Sequence, residues 1–96
     1  MSRYLLSPRA RADLDDIWDY TVETWSAEQA ERYIRILQQA IETIAADPTR
    51  GRACDDIRPG YRKFSVGSHV IFYRRLDSAV DVIRILHQRR DFERHL

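Results

Sequence analysis

Two segments in the second half of the chain constrain its fold more than anything else in the sequence. His69–Leu76 reads His-Val-Ile-Phe-Tyr-Arg-Arg-Leu, and Val80–His87 reads Val-Asp-Val-Ile-Arg-Ile-Leu-His. Both are rich in β-branched and aromatic residues and are bounded by the short polar turns Val66-Gly67-Ser68 and Asp77-Ser78-Ala79, so both read as strands. Neither alternates cleanly between apolar and polar. Val70 and Phe72 oppose Ile71 and Tyr73, while Val82 and Leu86 oppose Ile83 and Ile85. Such strands are apolar on both faces and need cover on both sides. Tyr61–Ser65 is a third candidate, and the short turns make the three runs an antiparallel meander.

The first half has a helical period instead. Tyr4-Leu5-Leu6 is a short apolar run that reads as an N-terminal strand. Ser7 then suits an N-cap and Pro8 the first helical position, where its missing N–H costs nothing. Leu14, Ile17, Trp18, Thr21 and Trp25 follow at helical spacing, with Asp13, Asp15, Asp16, Asp19 and Glu23 on the remaining faces, so a helix runs from about Pro8 to Thr24. Ser26-Ala27-Glu28-Gln29 is a capping-box pattern that opens a second helix. Its stripe is Ala30, Tyr33, Ile34, Leu37, Ala40, Ile41, Ile44 and Ala45, and it ends near Ala46, before Asp47-Pro48. The short Trp25-Ser26 connection forces an antiparallel helix hairpin. Residues 47–60 read as a loop, and the charged tail from Gln88 to Leu96 as a short turn of helix.

The resulting order is strand, helix hairpin, three-stranded meander: an α+β two-layer fold with both helices on one sheet face. The other face is then covered either by the chain's own loop and tail or by a partner. With 96 residues, 44% hydrophobic and 32% charged, and only three Gly and three Pro, the chain reads as one regular globular domain spanning residues 1–96. There is no room for a separate cofactor fold, and no cofactor is expected. The opening residues lack the apolar core of a signal peptide, no apolar run is long enough to span a membrane, and the single cysteine, Cys54, excludes an internal disulfide. A reduced, cytoplasmic setting fits these features.

Few residues carry an obvious chemistry. His69, His87 and His95 match no helical metal-ligand spacing, so no metal site is expected. His69, beside a Gly-Ser turn, reads as a solvated strand-end residue, and His87 as a strand-end histidine with the option of acid–base work. No phosphate-binding glycine loop or nucleophile elbow occurs. Cys54 has Arg50, Arg52 and Arg58 near it in sequence, neighbours able to lower a thiol pKa, but a lone thiol in a loop reads as incidental. Asp15, Asp19 and Glu23 share a helix face, which reads as a solvated surface.

The charges are more informative. The net charge of +1 argues against nucleic-acid binding by bulk charge alone. That value is a cancellation. Residues 1–49 carry five basic and nine acidic side chains, a net of −4, and residues 50–96 carry eleven and six, a net of +5. Fifteen of the sixteen basic residues are Arg, Lys63 being the exception, and in the sheet half they interleave with aromatics, as in Tyr61-Arg62-Lys63-Phe64 and Phe72-Tyr73-Arg74-Arg75. Arginine forks suit carboxylate or phosphate partners.

The segment from Arg58 through Gly60-Tyr61-Arg62-Lys63-Phe64-Ser65-Val66-Gly67-Ser68-His69, continuing to Arg74, closely resembles the sheet of the RelE/ParE toxin superfamily. Ile83-Arg84-Ile85-Leu86-His87-Gln88-Arg89-Arg90-Asp91 resembles its ParE branch, and Leu6-Ser7-Pro8-Arg9-Ala10 with Asp13-Leu14 and Ile17-Trp18-Asp19-Tyr20 is similar to that family's first strand and helix. The resemblance spans essentially the whole chain. It implies a toxin of a type II toxin–antitoxin pair that inhibits DNA gyrase without catalysing a reaction. It further implies neutralisation, in a hetero-oligomer, by a ParD-like antitoxin whose ribbon-helix-helix domain binds operator DNA, so that the toxin meets DNA only indirectly and no membrane is involved. Such an antitoxin would also supply apolar cover for the sheet.

On this resemblance Arg84, His87, Arg89, Arg90 and Phe92 are nominated for gyrase contact, and Ile36, Arg62 and Arg74 for antitoxin contact. The alternative is the RelE-like branch, a ribosome-dependent mRNA endoribonuclease, for which Arg62, Lys63, Arg74 and His87 are the nominees. This branch typically carries more cations on the second strand and a Tyr or His near the C-terminus; here there is one lysine and no tyrosine after Tyr73. A degenerate, non-toxic corepressor module is the remaining class.

Overall fold

The computed structural model describes residues 3–96. Strand β1 (Tyr4–Leu6) leads into helix α1 (Pro8–Thr24), and helix α2 (Ala27–Ala46) follows after two residues. A 3-10 turn (Pro48–Arg50) and strand β2 (Arg52–Ala53) precede β3 (Tyr61–Val66), β4 (His69–Arg75), β5 (Val80–His87) and a closing turn of helix, α3 (Phe92–His95). The sheet order is β1-β5-β4-β3-β2, with β1 parallel to β5 and the other pairings antiparallel. The expected two-layer arrangement is thus the observed one, and β2, only two residues long, is an addition within the expected loop.

Local capping explains where the helices start. Ser7 Oγ accepts from Ala10 N–H at 3.0 Å, while the same hydroxyl donates to Ile83 O at 2.7 Å and Ser7 N–H donates to Val82 O at 3.0 Å. One residue therefore caps α1 and fastens it to the outer edge of β5. Ser26 Oγ accepts from Gln29 N–H at 3.1 Å at the start of α2. Ala10, Ile17, Leu37, Ile41 and Ile44 of the hairpin pack on Ile71, Tyr73, Val82 and Ile85 of the sheet to form the main core.

The sheet departs from simple alternation at one place. Phe72 pairs with Arg84, but its neighbour Tyr73 pairs with Val82, which leaves Ile83 as an extra residue in β5. Such a bulge breaks the two-residue period. Val82 and Ile85 consequently share the helix-side core, and only Leu86 joins the opposite cluster. The sequence expectation had placed Val82 with Leu86 and Ile83 with Ile85.

That opposite cluster settles what covers the second face. Cys54, Val70, Phe72 and Leu86 are buried there beneath Ile57, Tyr61, Phe92 and Leu96, which come from the loop and the tail. Phe92 meets Phe72 edge-on, with ring centroids 4.8 Å apart. The chain provides this cover itself, so no partner is needed as an apolar lid on this face. Cys54 lies under the lid, only 1% exposed, and burial pushes its thiol pKa up, opposite to the effect expected from nearby arginines.

Two expectations for α1 also change. Trp18 and Trp25, assigned to the packed stripe, are 38% and 70% exposed, whereas Asp13, assigned to the polar face, is 8% exposed. Among the described residues no helix is long and apolar enough to cross a membrane.

Candidate functional site

At the end of the sheet where β3 turns into β4, the helix hairpin and the strand ends enclose a cleft of about 770 Å³. Ile17, Thr21, Ile85 and Leu86 contribute to its lining with Tyr20, Trp25, Tyr33, His69, His87 and Arg90, and Asp13 and Asp16 stand at the α1 wall. The two histidines are directly opposed in the β4–β5 ladder and meet edge-on at 5.4 Å. Tyr33, from α2, closes the arrangement. Its hydroxyl accepts from Ser68 N–H at 3.0 Å and bonds His69 Nδ1 at 2.5 Å. The turn beneath it depends on Gly67, whose φ is +57° and where a Cβ would stand 2.8 Å from the Tyr33 ring.

These bonds favour one tautomer in each imidazole. Among the described residues the Tyr33 hydroxyl proton has no other acceptor, so it is given to His69 Nδ1. Arg89 N–H donates to His87 Nδ1 at 3.2 Å. In each neutral ring the proton then sits on Nε2. Burial, and secondarily the neighbouring His87, lowers the His69 pKa to about 4, so this residue is not the solvated histidine that its turn-side position suggested.

The tail beyond β5 is held from inside. Arg84 Nε and Nη2 donate to the two oxygens of Asp13, each at 2.8 Å, and Nη1 donates to His95 O at 3.0 Å. The Asp13 hydrogen bond, ahead of an opposing desolvation effect, raises the Arg84 pKa. Arg84 therefore ties α1 to the tail. Phe92 is likewise turned inward, whereas Arg89 and Arg90 are exposed and His87 is half-buried.

The other nominated residues lie apart from this end. Arg62 Nη2 donates to Gly51 O at 2.6 Å, holding the loop against β3. Arg74 donates to Asp81 at 3.1 Å, with its side chain 51% exposed. Ile36 is 48% exposed on α2. Lys63 pairs with Phe72, on the sheet face opposite that of Arg62.

A family profile described as the ParE toxin of the type II toxin–antitoxin system parDE matches residues 4–92. The chain belongs to the ParE toxin family. Toxin ParE1 of Mycobacterium tuberculosis H37Rv is 58% identical over 96 residues, covering 99% of this chain and 98% of its own. Toxin ParE1 of Caulobacter vibrioides is 49% identical over 96 residues, covering 100% and 99%. A solved chain from the chromosomal ParDE toxin–antitoxin system of P. aeruginosa superposes with a TM-score of 0.79 over 91% of this chain and 96% of its own; at 20% identity it speaks for the fold alone.

In this ParE-family chain the cleft gathers residues that the sequence had distributed elsewhere. Tyr33 read as core stripe, Trp25 as packed helix and His69 as solvent. The one available signal was Gly67 beside His69, a turn that brings His69 opposite His87 once the meander is drawn.

Proposed function

We propose that this ParE-family toxin arrests growth by binding DNA gyrase, catalysing no reaction itself, and that a ParD-like antitoxin neutralises it in a hetero-complex. The observation carrying this reading is the separation of the groups that RNA cleavage would need. Acid, base and cation have to reach one scissile phosphate. Arg74 pairs with Asp81 at one end of the β4–β5 ladder and His87 with His69 at the other. From His69 to Arg74 the strand advances roughly 17 Å at about 3.3 Å per residue. Arg62 is engaged with the loop, and Lys63 lies on the other face.

Arg89 and Arg90, exposed beside His87, form the gyrase-contacting edge, and Arg84 and Phe92 position it from beneath. Toxin that prefers the DNA-cleaved state of gyrase shifts the population towards that state. Ile36 and Arg74 remain open for antitoxin contact, while Arg62 acts by holding its loop. Operator DNA is reached only through the antitoxin, and the target places the toxin in the cytoplasm.

Induction of the toxin alone in a bacterial host tests the proposal. Gyrase poisoning produces double-strand breaks and an SOS response while translation initially continues. Early mRNA cleavage at ribosomes would replace the proposal with a ribonuclease, and undisturbed growth at normal protein level would replace it with a corepressor role.

A further inference from the structure

The cleft between the helix hairpin and the strand ends has a chemistry that gyrase contact does not explain. Its large aromatics are open in the free chain, with Tyr20 67% and Trp25 70% exposed, while its floor includes Ile17 and Ile85, which are 8% and 2% exposed. A concave, mainly apolar site with a few convergent polar groups is the usual form of a small-molecule site, and the volume of about 770 Å³ falls in the range such sites occupy.

Three donor-bearing side chains, His69, His87 and Arg90, gather at the strand-end side of the cleft. Both histidines have Nδ1 occupied, and among the described residues neither Nε2 has a protein partner. Arg90 reaches His95 Nε2 only through Nη1, at 3.5 Å, leaving its other guanidinium nitrogens free. Acceptors line the cleft as well: both Asp13 oxygens are engaged by Arg84, but Asp16, Gln29 and the hydroxyls of Tyr20, Thr21 and Ser68 remain.

We infer that this cleft binds a small aromatic carboxylate, its ring packed among the aromatic and apolar side chains and its carboxylate taking the Nε2 protons of His69 and His87 and the Arg90 guanidinium. A carboxylate brings acceptors only, which matches the three donors grouped at the strand ends. A phosphate dianion would bring two negative charges to a lining that holds one arginine, Arg90, and the Asp16 carboxylate, where a carboxylate brings one. The depressed His69 pKa keeps that imidazole a neutral donor at physiological pH. The inference goes beyond gyrase binding and does not depend on it, since the cleft is present in the chain alone.

The test is an NMR titration of the full chain with 2-naphthoate, read at the Trp25 indole N–H and the His69 and His87 ring resonances. The comparison ligands are 2-naphthalenemethanol, thymidine 5′-monophosphate and the blocked peptide acetyl-Glu-Trp-Glu-amide. Saturable shifts at these three residues are expected with a Kd on the order of millimolar, as suits a ligand this small. The neutral alcohol should bind at least about fivefold more weakly, as should naphthoate to Arg90→Gln, an exposed turn position whose substitution leaves the core intact. Absence of shifts at these residues up to about 10 mM overturns the inference. So does equal binding of the alcohol, or unchanged binding by Arg90→Gln. Tighter binding of the peptide makes the cleft a protein-docking site, and tighter binding of the nucleotide a nucleic-acid site; either result overturns the assignment to a small acid.

Discussion

Arg84 of β5 and Asp13 of α1, 71 residues apart, are joined by two parallel hydrogen bonds of 2.8 Å, and Asp13 Oδ2 also accepts from Ile85 N–H at 2.9 Å. Beyond Val82, β5 has no β1 neighbour on its outer edge. Ser7 satisfies the Ile83 carbonyl there, and Asp13 satisfies the Ile85 amide. The two side chains are 15% and 10% exposed, so the pair is largely removed from water.

Asp13→Ala should therefore be among the most damaging single changes in the chain. It leaves the Arg84 charge and the Ile85 N–H without their partner, which for a buried pair costs about 3–5 kcal/mol. For a domain of this size each kcal/mol lowers Tm by about 4–8 °C. Asp13→Asn keeps one acceptor oxygen and should lose less. Urea unfolding of the three proteins measures the order; equal midpoints would mean that the pair contributes nothing to stability.

Asp13 also marks the limit of what the sequence discloses. Both helices, their caps and the three long strands were legible because each rests on local signals: Ser7-Pro8, Ser26 with Gln29, and apolar runs closed by turns. Asp13 carries no local signal separating it from Asp15, Asp16 and Asp19. Its burial depends on the edge of β5 that β1 leaves open and on an arginine 71 residues away. Trp18 and Trp25 mislead for the same reason, because helical spacing locates a stripe but not which edge of it the neighbouring layer covers. The β2 strand escaped because two residues cannot show a period.

The Gly51–Tyr73 contact should be intolerant of a methyl group. Tyr73 is fully buried, donating to Pro48 O at 2.6 Å and accepting from Gly51 N–H at 2.9 Å. A Cβ on Gly51 would collide with the Tyr73 hydroxyl, which belongs to a fully buried ring, and stand 2.8 Å from Lys63 O, which belongs to the backbone of β3. Gly51→Ala should destabilise by about 1–3 kcal/mol, the range for overpacking. Tyr73→Phe should cost a similar amount, about 1–3 kcal/mol, by orphaning the Gly51 amide. If both variants unfold at the parent urea midpoint, this contact does not hold the loop to the sheet.

The tail should act as a lid whose opening Cys54 reports. The thiol is buried beneath the cover that includes Phe92, and its raised pKa further limits the thiolate. In the folded protein a thiol reagent such as DTNB should react slowly, and Phe92→Ala should speed the reaction severalfold. Truncating a packed Phe costs up to about 3–5 kcal/mol, less at a half-buried position such as this one. The same variant should leave the main core on the helix side intact, so far-UV circular dichroism should change little. An unaltered reaction rate would mean that Phe92 does not guard the thiol.

The His69 environment should make stability fall on acidification. Its folded pKa is about 4, below the ordinary value of 6.5, because burial and the nearby His87 oppose its protonation. Between these values the unfolded chain binds more protons at this residue than the folded one, so stability decreases as pH falls from about 6.5 towards 4 and levels off for this group below that. Above pH 7 the contribution is constant. His69→Gln removes the titrating group while leaving a side chain that can still bond Tyr33. Subtracting the variant's pH–stability curve from the parent's should therefore isolate a slope confined to that window. Carboxylates elsewhere also titrate near its lower end, but they are common to both proteins and cancel in the difference. A difference curve flat from pH 7 to pH 4 would show that folding does not depress the His69 pKa, and that the Tyr33–His69 contact tolerates a protonated ring.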